Sequence, residues 1–248
     1  MPPPLASADL RVHGKSQARS ARFPTSWVPA IGLATMLATI SCACLLHFDC
    51  PANLPVLSHA AEYSPEYYIF AIGMNCTAYC MYISTQRFSN VLCRRLTKFR
   101  GVLPRLYRGV AIVTTMALVV LSICDSIRFP DAHVVSTIVF FVFAWVKIAL
   151  AHIGRHNLEP FHGAQSPNVD AIIGSWLIGV GLASSFTFGC VYLARRHFAT
   201  KSFAFGIAFE SSSELVAILC QLLYMGTLPV DSVVDASSIK ATSKAHRN

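Results

Sequence analysis

Six apolar stretches, each about twenty residues long, recur along this chain, and a helix of that length crosses the roughly 30 Å hydrocarbon core of a bilayer. They cover residues 28–48, 67–86, 109–127, 131–153, 170–193 and 202–226. The first is too long for a signal-peptide core and has no convincing cleavage site, so it is expected to stay as a helix. The sixth is the least apolar, with Glu210, three serines at 211–213, Glu214 and Gln221. A central acid opposes insertion by about 2.5–3.5 kcal/mol, so this helix needs neighbours that satisfy its polar groups. The expected fold is all-α, a multi-pass transmembrane bundle of six helices over 28–226. A disordered segment, 1–27, precedes it and a polar tail, 227–248, follows it, both cytoplasmic. Residues 1–27 also resemble an organellar transit peptide in composition.

Composition excludes the main alternatives. With 54% hydrophobic and 13% charged residues and a mean hydropathy of +0.52, a soluble fold of this size has too few polar side chains to cover its surface. The net charge of +8 does not mark a nucleic-acid binder, because the basic residues fall in the gaps between apolar runs. Nine cysteines form no CxxC pair and lie mostly inside the runs, where free thiols behave as small hydrophobes. No metal or other cofactor is expected. Cys50, Cys124 and Cys190 lie near helix ends, and a disulfide among them is left open.

Charge sets the orientation. With both termini cytoplasmic, 15 basic residues fall on the cytoplasmic side and four, Arg128, Arg195, Arg196 and Lys201, on the other. That bias follows the positive-inside rule, although the Arg195–Lys201 cluster runs against it.

Three groups of residues are candidates for function. Glu214 and Glu210, one turn apart on one face, are ionisable groups inside a span, with Lys147 of the fourth span as a partner. They act either as a gating, proton-linked or headgroup site or as a helix-to-helix contact that fixes packing. The outer face gathers His47, His59 and His133 with Asp49, Glu62, Glu66, Asp125 and Asp131. This set suits a cation, a choline or ethanolamine headgroup, or a sensor of luminal acidity; the alternative is a solvated face with acids at helix starts. Arg94, Arg95, Lys98, Arg100 and Arg105 alternate with Leu92, Leu96, Phe99, Leu103 and Leu106. That pattern suits either a helix lying on an anionic leaflet or a topology signal alone. In the fifth span, Gly179-xxx-Ala183 and Gly181-xxx-Ser185 let helices approach, for core packing or for dimerisation. Asn75 heads a glycosylation sequon but lies inside a helix and is expected to be unmodified.

Several short motifs carry a resemblance. The first loop reads His47-Phe48-Asp49, Pro55-Val56-Leu57-Ser58 and Ser64-Pro65-Glu66, followed by Tyr67-Tyr68-Ile69-Phe70 and Asn75. The fourth span opens Asp131-Ala132-His133-Val134 and continues to Trp145-Val146-Lys147; the last carries Ser212-Ser213-Glu214. In order and spacing this resembles the Frag/DRAM/Sfk superfamily, most closely the damage-regulated autophagy modulator (DRAM) branch. The chain departs from that pattern at Ser58-His59-Ala60-Ala61, where an aspartate is absent, at Lys147, where relatives commonly have Gln, and at Leu215, where they have an aromatic.

The resemblance implies a non-enzymatic regulator of autophagy and membrane-lipid organisation. Its expected setting is lysosomal or other endomembranes, with the plasma membrane as the alternative, and membrane lipids are the expected partners, anionic headgroups among them. It singles out His47, Asp49, Ser58, Pro65, Glu66 and His133 as a lumenal motif. The competing class is a lipid-processing factor similar to those remodelling GPI anchors. No nucleophile–base–orienter triad, phosphate loop or metal motif emerges from the spacing.

Overall fold

The computed structural model describes residues 25–50, 54–96, 101–158, 167–198 and 204–228, and all regular structure among them is helical. The elements are α1 (Trp27–Leu46), α2 (Leu57–Ala60), α3 (Glu66–Arg95), α4 (Val102–Ile123), α5 (Pro130–His156), α6 (Pro167–Phe198) and α7 (Ala204–Gly226). Apart from α2, a single turn in the first loop, the shortest helix has 20 residues and is about 30 Å long. Trp27–Leu46, Val102–Ile123, Pro130–His156 and Ala171–Arg195 are long and apolar enough to cross a membrane. Most of 1–27 and of 227–248 lies outside the described residues.

The buried core is mainly apolar, yet polar side chains are buried with it and large apolar ones cover the outside. Trp176 and Phe186 on α6, Ile72 on α3 and Leu37 on α1 are among the most exposed residues. Thr77, Ser84 and Thr85 of α3, Thr114 of α4, and Glu210, Ser211, Glu214 and Gln221 of α7 are buried. Exposed apolar surface on this scale fits lipid as the surrounding solvent. Two of the buried hydroxyls are satisfied locally: Thr77 donates to the Gly73 carbonyl at 2.9 Å and Thr114 to that of Val110 at 2.9 Å, the i−4 bond open to Ser and Thr within a helix. Asn75 is a packing residue, donating to Ser122 Oγ on α4 at 3.0 Å.

Small residues set the close approaches. Gly73 of α3 lies directly against the Thr35 side chain of α1, leaving no room for a Cβ. Of the two small-residue pairs on α6, Gly181 and Ser185 face the bundle: Trp145 of α5 packs on Gly181 and donates to Ser185 Oγ at 2.9 Å. Gly179 and Ala183 face outward. Helices α1, α3, α4 and α5 pack as successive neighbours, and α6 and α7 form a hairpin that returns to α1 through α7. Contacts of α5 with α6 and α7 are sparse, so the ring is loosest between α5 and α6.

The structure adds to three of these expectations. The second helix runs past residue 86 to Arg95 and the third begins at Val102, not 109. Helical hydrogen bonding need not stop at the edge of the hydrocarbon, and Arg94 and Arg95 in the last turn of α3 suit a helix C-terminus. The basic stretch is therefore not a separate surface helix among the described residues. Leu92, Leu96 and Leu103 are buried in the core and Phe88 packs edge-on against Tyr107 at 5.5 Å, whereas Leu106 is exposed, so three of the stretch's apolar residues pack inward. Arg94 and Arg105 are exposed, Arg95 is half-buried, and Lys98, Arg100 and Phe99 lie outside the described residues. Finally, Cys50 pairs with Cys44, while Cys124 and Cys190 are free thiols. The partner sits in the last turn of α1, where sequence position alone reads as membrane interior.

Candidate functional site

The loose seam leads into a cavity of about 570 Å³ enclosed by α2, α3, α4, α5, α6 and α7. Its walls are apolar, with Phe70, Met74, Phe140, Phe188, Ile218 and Met225 among them. Ile138 and Val142 of α5 and Leu193 of α6 line the cavity and are also 58%, 53% and 55% exposed. Residues that belong at once to the cavity and to the outer surface mark its mouth, which opens sideways between α5 and α6.

Polar groups converge at one end. The first loop tucks α2 into the bundle between α1 and α7, burying Val56, Leu57, Ala60 and Ala61. The backbone N–H of Leu57, at the start of α2, donates to Glu214 Oε2 at 2.7 Å. A helix start has unpaired N–H groups, and a carboxylate is a favourable partner for one. One turn earlier on α7, Ser211 Oγ donates to the Leu54 carbonyl at 2.8 Å. Glu210, also buried, pairs with Arg195 of α6. Of the basic cluster that runs against the positive-inside bias, Arg195 thus neutralises a buried acid.

Beside this lies a second acid–base group. His59 Nδ1 is 3.1 Å from Glu62 Oε1, and Ser126 Oγ donates to the same carboxylate oxygen. The hydrogen bond to Glu62 raises the His59 pKa above its usual 6.5 against partial desolvation, with Arg195 opposing and Glu210 assisting. Burial alone pushes Glu62 up, but the hydrogen bonds from His59 and Ser126 outweigh it and its pKa is lowered from 4.5. His133 Nδ1 lies 2.7 Å from the Cys124 carbonyl and the residue lines the cavity.

The expected Glu214–Lys147 pair is not formed. Among the described residues Lys147 has no acid within 4 Å, although it is only 2% exposed and lines the same cavity. Lys147 lies seventeen residues along α5, about 25 Å from its start, whereas Glu214 lies about 15 Å along α7. The two groups occupy different depths. Gln221, about 10 Å beyond Glu214 on α7, lines the cavity, and neither of its amide atoms has a hydrogen-bond partner among the described residues.

The lumenal motif residues divide. Ser58 and His133 line the cavity. His47 and Glu66 meet instead at the α1–α3 edge, with Nε2 3.4 Å from Oε1 and the His47 ring stacked on Tyr63 at 4.7 Å. The Glu66 carboxylate is completely buried and has no hydrogen bond among the described residues, so it is not the solvated acid that its place at a helix start suggests. Asp49 and Pro65 are exposed and away from the site. Sequence reasoning missed Arg195 and Ser126 as site residues. A basic residue fifteen positions before Glu210 across a short connection was the available signal for the first; nothing marked the second. No group of three His, Cys, Asp or Glu side chains suited to a metal occurs among the described residues.

A family model described as the Frag1/DRAM/Sfk1/Cwh43P N-terminal domain matches residues 24–231. No curated protein and no solved structure matches the chain.

Proposed function

This chain belongs to the Frag1/DRAM/Sfk1/Cwh43P family, and on that premise we propose that it is a six-span, non-enzymatic regulator of membrane-lipid organisation that takes a lipid into its bundle from the side. The observation that carries this reading is the laterally open cavity, apolar along its walls and polar at its ends. A pocket of about 300–1,000 Å³ with a few convergent polar groups is the usual form of a small-molecule site, and a mouth facing hydrocarbon selects molecules already dissolved there. Counting α3 and α7 as spans is supported by their turning Thr77, Thr85, Glu210 and Glu214 inward and Ile72 and Phe209 outward.

Within the family the reading is closest to DRAM-type regulators of autophagy in lysosomal or related endomembranes, with the first loop lumenal and Arg94, Arg95 and Arg105 toward an anionic cytoplasmic leaflet. A lipid-processing factor of the GPI-anchor-remodelling type would share the cavity. Binding is favoured over turnover because the three acids lining the cavity are each engaged by protein: Glu214 by Leu57, Glu210 by Arg195, and Glu62 by His59 and Ser126. Native mass spectrometry of the purified protein tests the proposal. Wild type should carry a bound lipid, and Ala144→Phe, which fills the cavity from a buried position on its wall, should lose it while staying monodisperse. An empty wild type would contradict it.

A further inference from the structure

The deep end of the cavity holds a lysine amine and an amide without hydrogen-bond partners among the described residues. Lys147 is 2% exposed and Gln221 5%. Both line the cavity, and neither Gln221 amide atom has a hydrogen-bond partner among the described residues. They lie at one depth: Gly181 of α6 is packed against both Trp145, two residues before Lys147, and Cys220, adjacent to Gln221. An ammonium buried in hydrocarbon is costly unless an anion or several hydrogen bonds accompany it, and an unsatisfied buried amide adds to that cost. No acid of the described residues supplies the anion; Glu210, Glu214 and Glu62 all sit at the other end, each with a partner of its own.

We propose that Lys147 and Gln221 form the anion subsite for the carboxylate of a single-chain fatty acid, whose alkyl chain lies along the apolar wall. This rests on the lipid-binding reading above and names the class of lipid. A carboxylate accepts from both the Lys147 ammonium and the Gln221 amide N–H, satisfying two orphan donors at once. The apolar wall from Ile218 past Phe188 and Phe140 to Met74 then takes the chain, and the mouth at Ile138, Val142 and Leu193 admits it from the membrane. One chain matches a cavity of about 570 Å³; a two-chain phospholipid does not.

Equilibrium binding of radiolabelled palmitate and of its neutral methyl ester to the full-length protein in detergent tests this. Lys147→Met should weaken palmitate by roughly thirtyfold or more, the loss expected when one partner of a buried charge pair is removed, and leave the ester unchanged. Lys147→Arg should recover most palmitate binding, and Gln221→Leu should weaken it by a smaller factor. Equal weakening of acid and ester, or palmitate binding unchanged in a folded Lys147→Met, overturns the anion subsite while leaving the cavity as a lipid site. Binding of neither molecule to wild type overturns the lipid-binding reading as well.

Discussion

The Leu57 backbone N–H and the Glu214 carboxylate, 157 positions apart, are joined by a 2.7 Å hydrogen bond. It ties the first loop to the last helix and makes Glu214 the anchor of α2. Both residues are buried, so removing the acceptor strands the donor. Glu214→Leu should lower stability by about 1–3 kcal/mol, the cost of an unsatisfied buried N–H, read as an earlier thermal transition in detergent. Glu214→Gln keeps an acceptor oxygen and should be much milder. Glu214→Leu as stable as wild type would show that the bond contributes nothing.

Glu214 and Lys147 share no contact, so their substitutions should act independently. The double variant Glu214→Gln with Lys147→Gln should match the sum of the singles to within about 0.5 kcal/mol, as for sites without common partners. A coupling well beyond that, measured in the same thermal assay, would mean that the two groups pair.

The Arg195–Glu210 pair carries a different expectation. Arg195→Ala leaves Glu210 charged and almost wholly buried, and should destabilise by about 2–3 kcal/mol. That is less than for a fully buried pair, because Arg195 is 40% exposed and solvent screens it. Adding Glu210→Gln should recover much of the loss. Further loss in the double variant would contradict this account.

How much of this was legible beforehand depended on what kind of atom carries each interaction. Periodic apolar runs announced the helices, and Glu210 and Glu214 stood out because an acid inside a span must have a partner. The partner of Glu214 was hidden because it is a backbone N–H, which every residue but proline possesses and no sequence pattern marks. Arg195 looked like an exception to the charge bias, since the bias counts charges without asking which are neutralised. Lys147 looked like the counter-ion of Glu214 because linear position gives no depth until the helix starts are known. Of the residues the family motifs singled out, Ser58 and His133 line the cavity, while Asp49 and Pro65 lie outside it.

Acidity should tighten the first loop. His59 has a raised pKa, so its contribution is fully present below its usual 6.5 and fades as pH rises through the raised value. Glu62 has a lowered pKa, so its contribution is present above 4.5 and fades as pH falls through the lowered value. The His59–Glu62 pair therefore holds the loop best in the mildly acidic window between them. Limited proteolysis should cut the loop more slowly at about pH 5.5 than at about pH 8. His59→Ala should remove most of that difference; an unchanged pH dependence in the variant would assign it to other groups.

On the proposed topology the Cys44–Cys50 disulfide faces an oxidising compartment, where such bonds persist. A membrane-impermeant maleimide applied from the lumenal or external side should label Cys50 only after reduction. Cysteine substituted for Arg94 should react only from the opposite side. Labelling of both positions from one side would overturn the orientation.

The central claim is that lipid enters the bundle between α5 and α6, and photocrosslinking tests it most directly. A diazirine placed near the middle of a palmitate chain, incorporated into bilayers with the full-length protein, should map by peptide mass spectrometry to interior residues such as Met74, Phe140, Phe188 and Ile218. A cavity-filling Ala144→Phe should abolish those adducts. Adducts confined to outward-facing residues such as Leu37, Ile112 and Trp176, unaffected by Ala144→Phe, would mean that lipid only bathes the outside of the bundle, and would contradict the account.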